Sequence, residues 1–116
     1  MVSNAMIHAM QLQPDSFEKM KEGTKTIEVR LNDEKRREIA VGDQIQFACA
    51  GDTGESLLAE VVALLPFASF KELYTAFPAH LFGATTSDEY THMYRYYTPE
   101  DEVHFGVLGI RVRVIT

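Results

Sequence analysis

The chain predicts a small α+β fold: a mostly antiparallel β-barrel of five or six short strands with helices packed outside it. Three observations lead there. Several short apolar runs alternate with period two, as strands with one buried face do. The runs at 44–50 and 55–65 are separated only by Gly51-Asp52-Thr53-Gly54, so they pair as a hairpin, which argues against a doubly wound parallel sheet. The helical stretches are few and short, so they flank a sheet rather than form a bundle.

In chain order, Ile7 to Leu12 is a first strand. Pro14 then opens a helix with Asp15 and Ser16 in its first turn, and Gly23 ends it. Thr24 to Leu31 is a second strand, in which Ile27, Val29 and Leu31 alternate with Thr26, Glu28 and Arg30. Residues 32–38 form a charged connection, and Gly42-Asp43 is a turn. Gln44 to Ala50 and Glu55 to Leu65 are the hairpin strands, closed by Pro66. Ser69 caps a helix through Phe77, with Glu72 at the capping-box position. A further helix begins at 85–89 and carries Tyr90, Met93, Tyr94 and Tyr97, with Tyr90, Tyr94 and Tyr97 on a core-facing side. Residues 98–102 are a polar loop or a single helical turn, and Phe105 to Ile115 is the closing strand. Ile27, Val29, Ile45, Phe47, Leu108 and Ile110 are expected to line the barrel together.

The 116 residues fit one domain, taken as 6–116, with residues 1–5 read as a cloning remnant ahead of Met6. At 46% hydrophobic and 24% charged residues the chain has enough apolar surface to fold, so intrinsic disorder is excluded. No apolar run approaches the ~20 residues of a membrane span. No signal-peptide pattern is visible, which makes a cytoplasmic location the expectation. The net charge of −6 excludes a uniformly basic coat for duplex DNA, while leaving room for a local basic patch. The single cysteine, Cys49, sits in the apolar run 45–50 and reads as a small core residue. The four histidines have no metal-ligand spacing with it, so no metal and no cofactor is expected.

Chemistry concentrates at Lys25, Glu28 and Arg30. With Ile27 and Val29 facing the core, Glu28 and Arg30 share the opposite strand face about 7 Å apart. Lys25 follows the helix-ending Gly23 and stands at the mouth of the site so formed. Glu28 is suited to accept from an exocyclic amine, and the planar Arg30 fork to hold phosphate or a carbonyl. Both groups are expected to be partly solvated, so replacing them should change stability little. A solvated strand face with an exposed ion pair, worth under about 1 kcal/mol, explains the same pattern. In the second polar cluster His92, Arg95 and Tyr96 point away from the tyrosine stripe and suit stacking on a base.

The run Gly23-Thr24-Lys25-Thr26-Ile27-Glu28-Val29-Arg30 resembles the ASCH family of the PUA-like superfamily. So do 31–36, the Val41-to-Phe47 strand start and the Gly106-to-Ile110 strand, and the likeness covers nearly all the chain from Met6 on. The resemblance implies a small barrel with a cleft beside its helices that recognises RNA, a nucleotide or a modified nucleoside. It also implies an alternative, since some small bacterial members are amidohydrolases that deacetylate N-acetylated cytidine. In those, a lysine at the Lys25 position is the activating base, with a threonine nucleophile three residues later and a glutamate in the helical region. This chain has Glu28 at the nucleophile position, where a carboxylate can serve instead as a general base for water with Lys25 stabilising the oxyanion, and Glu72 and Glu89 are candidates for the glutamate. Thr26 is one residue off, which on a strand points a side chain to the other face.

Overall fold

The computed structural model describes residues 5–116, so the remnant read at 1–5 lies outside them apart from Ala5. Strand β1 (Ile7–Leu12) leads into helix α1 (Pro14–Glu22). Pro14 occupies its first turn and Gly23 closes it in the left-handed region at φ 88°. Strand β2 spans Ile27–Leu31, shorter than the expected 24–31. The amides of Thr24 and Lys25 both turn back to the Lys19 carbonyl, and that of Thr26 goes to Leu81, so no strand partner takes them. After a 3₁₀ turn at Arg36–Glu38 come β3 (Gln44–Cys49) and β4 (Ser56–Phe67). Strand β4 does not stop at Pro66, which pairs with Leu108. Strand β3 pairs with β4 only along Ser56–Glu60 and the Gly42-Asp43 turn bonds Val61, so farther on, at Pro66, no strand among the described residues pairs that edge and a missing amide proton costs little.

Helix α2 (Phe70–Ala76) is capped as expected: Ser69 Oγ accepts from the Glu72 amide at 3.1 Å and meets the Glu72 carboxylate at 3.0 Å. Two 3₁₀ segments follow, Ala79–Phe82 and Ser87–Arg95, the second opened by a Thr86/Glu89 capping box. The first was not anticipated, and the second replaces the expected α-helix. Tyr94 of the expected core stripe is 36% exposed, and Tyr90 and Tyr97 are half-buried. The tighter 3₁₀ winding spreads a stripe spaced for an α-helix. Helix α3 (Pro99–Phe105) supplies Glu102, a buried carboxylate that accepts from the Phe70 amide and the Tyr94 hydroxyl, both at 2.8 Å. Strand β5 (Val107–Val114) closes the fold.

The five strands form one curled sheet in the order β1-β3-β4-β5-β2, with β1 and β3 parallel and every other pair antiparallel. Strands β1 and β2 are its two edges, and α1 connects them. Residues paired across a ladder share a face. On the concave face Met10, Leu12, Ile45, Phe47, Ala59, Val61, Leu108 and Ile110 pack around Phe17 and Met20 of α1. On the convex face Ile27, Val29, Leu31 and Val107 pack under Phe70, Leu73 and Phe82. This corrects the expected barrel lining. All six residues named for it are buried, but Ile27 and Val29 lie on the convex side. Glu28 pairs with Ile110 and Arg30 with Leu108, so it is the two charged side chains that face inward with the barrel core.

Candidate functional site

Because β2 buries its apolar side under the helices, its polar side is forced into the concave interior beside the open seam between β1 and β2. Lys25 Nζ lies 2.9 Å from Glu28 Oε1, and Arg30 Nε donates to Glu28 Oε2 at 2.7 Å. The three side chains are only 7, 8 and 16% exposed. They are not the partly solvated pair expected from the strand pattern. Lys25 also donates to the Phe82 carbonyl at 3.4 Å, and Arg30 Nη2 donates to the Gln11 carbonyl at 2.8 Å. The Arg30 contact crosses the seam and ties the two sheet edges together.

Burial alone would raise the Glu28 carboxyl, but the Lys25 ammonium and Arg30 guanidinium outweigh it and hold the group below the usual carboxylate range. Burial works against the Arg30 charge, and the Glu28 carboxylate, with Tyr97 beside it, more than restores it. The triad is thus a cation, an anion and a cation with a net charge of +1, most of it out of water.

A cleft of about 450 Å³ opens over this triad. One wall is the start of α1, with Asp15 and Ser16. The other is built from α2 and the 3₁₀ segments, with Tyr74, Phe82, Met93 and Tyr97. Tyr74 and Phe82 stack at 4.5 Å with 16° between their planes. His92 and Tyr96 also line the cleft and are exposed, Tyr96 by 60%, so they stand at its mouth beside Arg95. The six residues read as ligand contacts from sequence, Lys25, Glu28, Arg30, His92, Arg95 and Tyr96, therefore border one cavity.

Of the two glutamates considered, Glu89 lines the cleft and Glu72 does not. Glu89 accepts from the amides of Thr85 and Thr86, and those bonds hold its carboxyl below the usual range against a smaller opposing effect of burial. The Thr26 hydroxyl is enclosed and unpaired, and Thr26 is not part of the cleft wall. Tyr74 and Phe82 were missed as site residues. Tyr74 repeats at helical spacing with Phe70, Leu73 and Phe77, which reads as core, and nothing local distinguishes the ring that borders a cavity.

A curled sheet with a bridged seam, flanking helices and a polar cleft defines a PUA-like β-barrel domain. The chain matches the model of the ASCH domain over residues 10–115 and belongs to that family. A crystal structure titled hypothetical protein PH0355 superposes with a TM-score of 0.83 at 34% identity, covering 95% of this chain and 100% of that one. The solution structure of PF0455 from Pyrococcus furiosus gives 0.74 at 34% identity, over 95% and 98%. An ASCH protein from Zymomonas mobilis gives 0.60 at 12% identity, over 97% of this chain and 70% of that one, a likeness of fold alone. No curated protein matches the chain.

Proposed function

We propose that the protein binds a nucleotide, a nucleoside or a short single-stranded RNA element in the cleft above Lys25, Glu28 and Arg30. The observation that carries this reading is the cleft itself: a buried charged triad at its floor and aromatic side chains on its wall. A volume of about 450 Å³ suits one small ligand. Stacked and exposed aromatic rings offer faces for bases, and Arg95 at the mouth offers charge for a backbone phosphate. Membership of the ASCH family supports the same ligand class.

The alternative, hydrolysis of an acylated nucleoside, needs a nucleophile beside its activating base. Lys25 is engaged by Glu28 and the Phe82 carbonyl, and no hydroxyl among the described residues pairs with it. This favours binding over hydrolysis.

The test is a titration of the full chain with the four nucleosides and with short single-stranded RNAs, against a DNA duplex of equal length. Single strands or nucleosides are expected to bind and the duplex to bind weakly, because the chain carries a net charge of −6. Lys25→Ala should weaken the binding by about tenfold, as loss of a charged hydrogen bond does. Absence of binding to every single strand and nucleoside would overturn the reading. Release of cytidine from N-acetylated cytidine, abolished by Lys25→Ala, would replace it with the hydrolytic one.

A further inference from the structure

Tyr74 is 7% exposed and lines the cleft in company with Lys25, Glu28 and Arg30. Its hydroxyl has no hydrogen-bond partner among the described residues, yet it is not among the sealed polar atoms of the core. Nearby, Lys25 and Glu28 are engaged with each other and Glu102 with Phe70 and Tyr94, while the unpaired Thr26 hydroxyl is sealed inside and Thr26 does not line the cleft. Buried polar groups are paired in native proteins, and a buried tyrosine usually has a partner for its hydroxyl. An unpaired hydroxyl in a cleft wall is available to bond a ligand atom.

The polarity of that ligand atom follows from the neighbours. Burial first, then the Glu28 and Glu89 carboxylates, push the Tyr74 phenol upward, so it keeps its proton and can donate. Lys25 has three N–H groups. One faces Glu28 Oε1 and one the Phe82 carbonyl, which leaves one for a ligand. Both Glu28 oxygens already receive a cation, so Glu28 is not the open acceptor for an exocyclic amine that its place on the strand suggested. The floor thus presents donors over a triad of net positive charge.

Resting on the reading of the cleft as a nucleoside site, we propose that Tyr74 contacts the ligand and, with Lys25, receives a base carbonyl oxygen. The cleft then takes bases that carry a carbonyl where cytosine and adenine carry an amine, namely uracil and guanine. An amine at that position would set N–H groups against the Lys25 ammonium, which cannot accept, and would leave the Tyr74 proton without an acceptor. A site built to make a hydrogen bond discriminates strongly against a ligand that leaves it unmade.

The test is calorimetric titration of uridine, guanosine, cytidine and adenosine against the full chain and against Tyr74→Phe, with thermal melts of both. Uridine and guanosine are expected to bind roughly tenfold more tightly than cytidine and adenosine. Tyr74→Phe should remove most of that preference by weakening only the tighter pair, and its melting temperature should not fall, since it deletes an unpaired hydroxyl. Preference for cytidine or adenosine, or four affinities unmoved by Tyr74→Phe, would overturn the assignment and leave the nucleoside reading standing. Failure of all four nucleosides to bind the unmodified chain would overturn the assignment, and failure of short single-stranded RNAs as well would overturn the reading of the cleft on which it rests.

Discussion

Glu28 is a buried anion held between two cations, and that decides what its replacement does. Removing one partner of a buried pair leaves uncompensated charge, which costs about 3–5 kcal/mol, far above the value of a surface ion pair. Glu28→Gln is therefore expected to lower stability by about 3 kcal/mol, because Lys25 and Arg30 then face each other with no carboxylate between them. Chemical denaturation of the variant beside the parent chain checks this, and a loss under about 1 kcal/mol would mean that water screens the triad. The strand pattern located the residue and its two neighbours. It misjudged their solvation, because alternation separates two faces without saying which one a curled sheet encloses. A polar side chain on the inner face of a barrel looks the same in sequence as one on the outside.

At the scale of elements, β5 carries the contact between the two layers. Gly109 lies opposite Val29 on the convex face, beneath α2. A methyl group there would meet Leu73 Cδ1 at 3.1 Å, Ile27 Cγ2 at 3.3 Å and Leu65 Cβ at 3.3 Å. Overpacking of this kind costs about 1–3 kcal/mol, while replacing a strand glycine by alanine returns about 0.5–1 kcal/mol. Gly109→Ala should accordingly destabilise by about 1 kcal/mol, read from the shift in a urea midpoint at unchanged slope. A more stable variant would show that α2 lifts off the sheet freely. Gly109 was legible as a member of one β5 face, but not as the point of closest approach of a helix, since no residue near it in sequence belongs to that helix. Caps were legible for the opposite reason. Ser69 and Glu72 meet within one turn, so local spacing is the whole of the geometry.

For the molecule as a whole, the carboxyls of Glu28, Asp43 and Glu89 are all held below their ordinary values. At Asp43 the cause is hydrogen bonds accepted from the His8 ring at 2.8 Å and from the amides of Ala40 and Met6. A carboxyl whose folded value is depressed adds stability that is fully present above its unfolded value, about 4, and is lost as pH falls through the folded value. Melting temperature is thus expected to be flat from about pH 8 to pH 5 and to drop below about pH 4. Melts across that range check it, and a melting temperature that held or rose down to about pH 3 would contradict it. The three carboxylates sit on different elements, at the triad, at the β3 turn and at a 3₁₀ start, so acid should loosen the cleft and the barrel together.

The sequence by itself determined the strands β1 to β5, the caps at Pro14, Gly23 and Ser69, and the grouping of Lys25, Glu28 and Arg30. Each of these follows from alternation or spacing within a few residues. Tertiary structure alone decided that β2 would turn its charges inward, that Arg30 would bridge to Gln11 across the seam, and that Tyr74, Phe82 and Glu89 would wall the cleft. These depend on where β1, β2 and α2 meet after the sheet curls. Contacts between residues 19 or more positions apart, as Arg30 is from Gln11, leave no period in the chain to read.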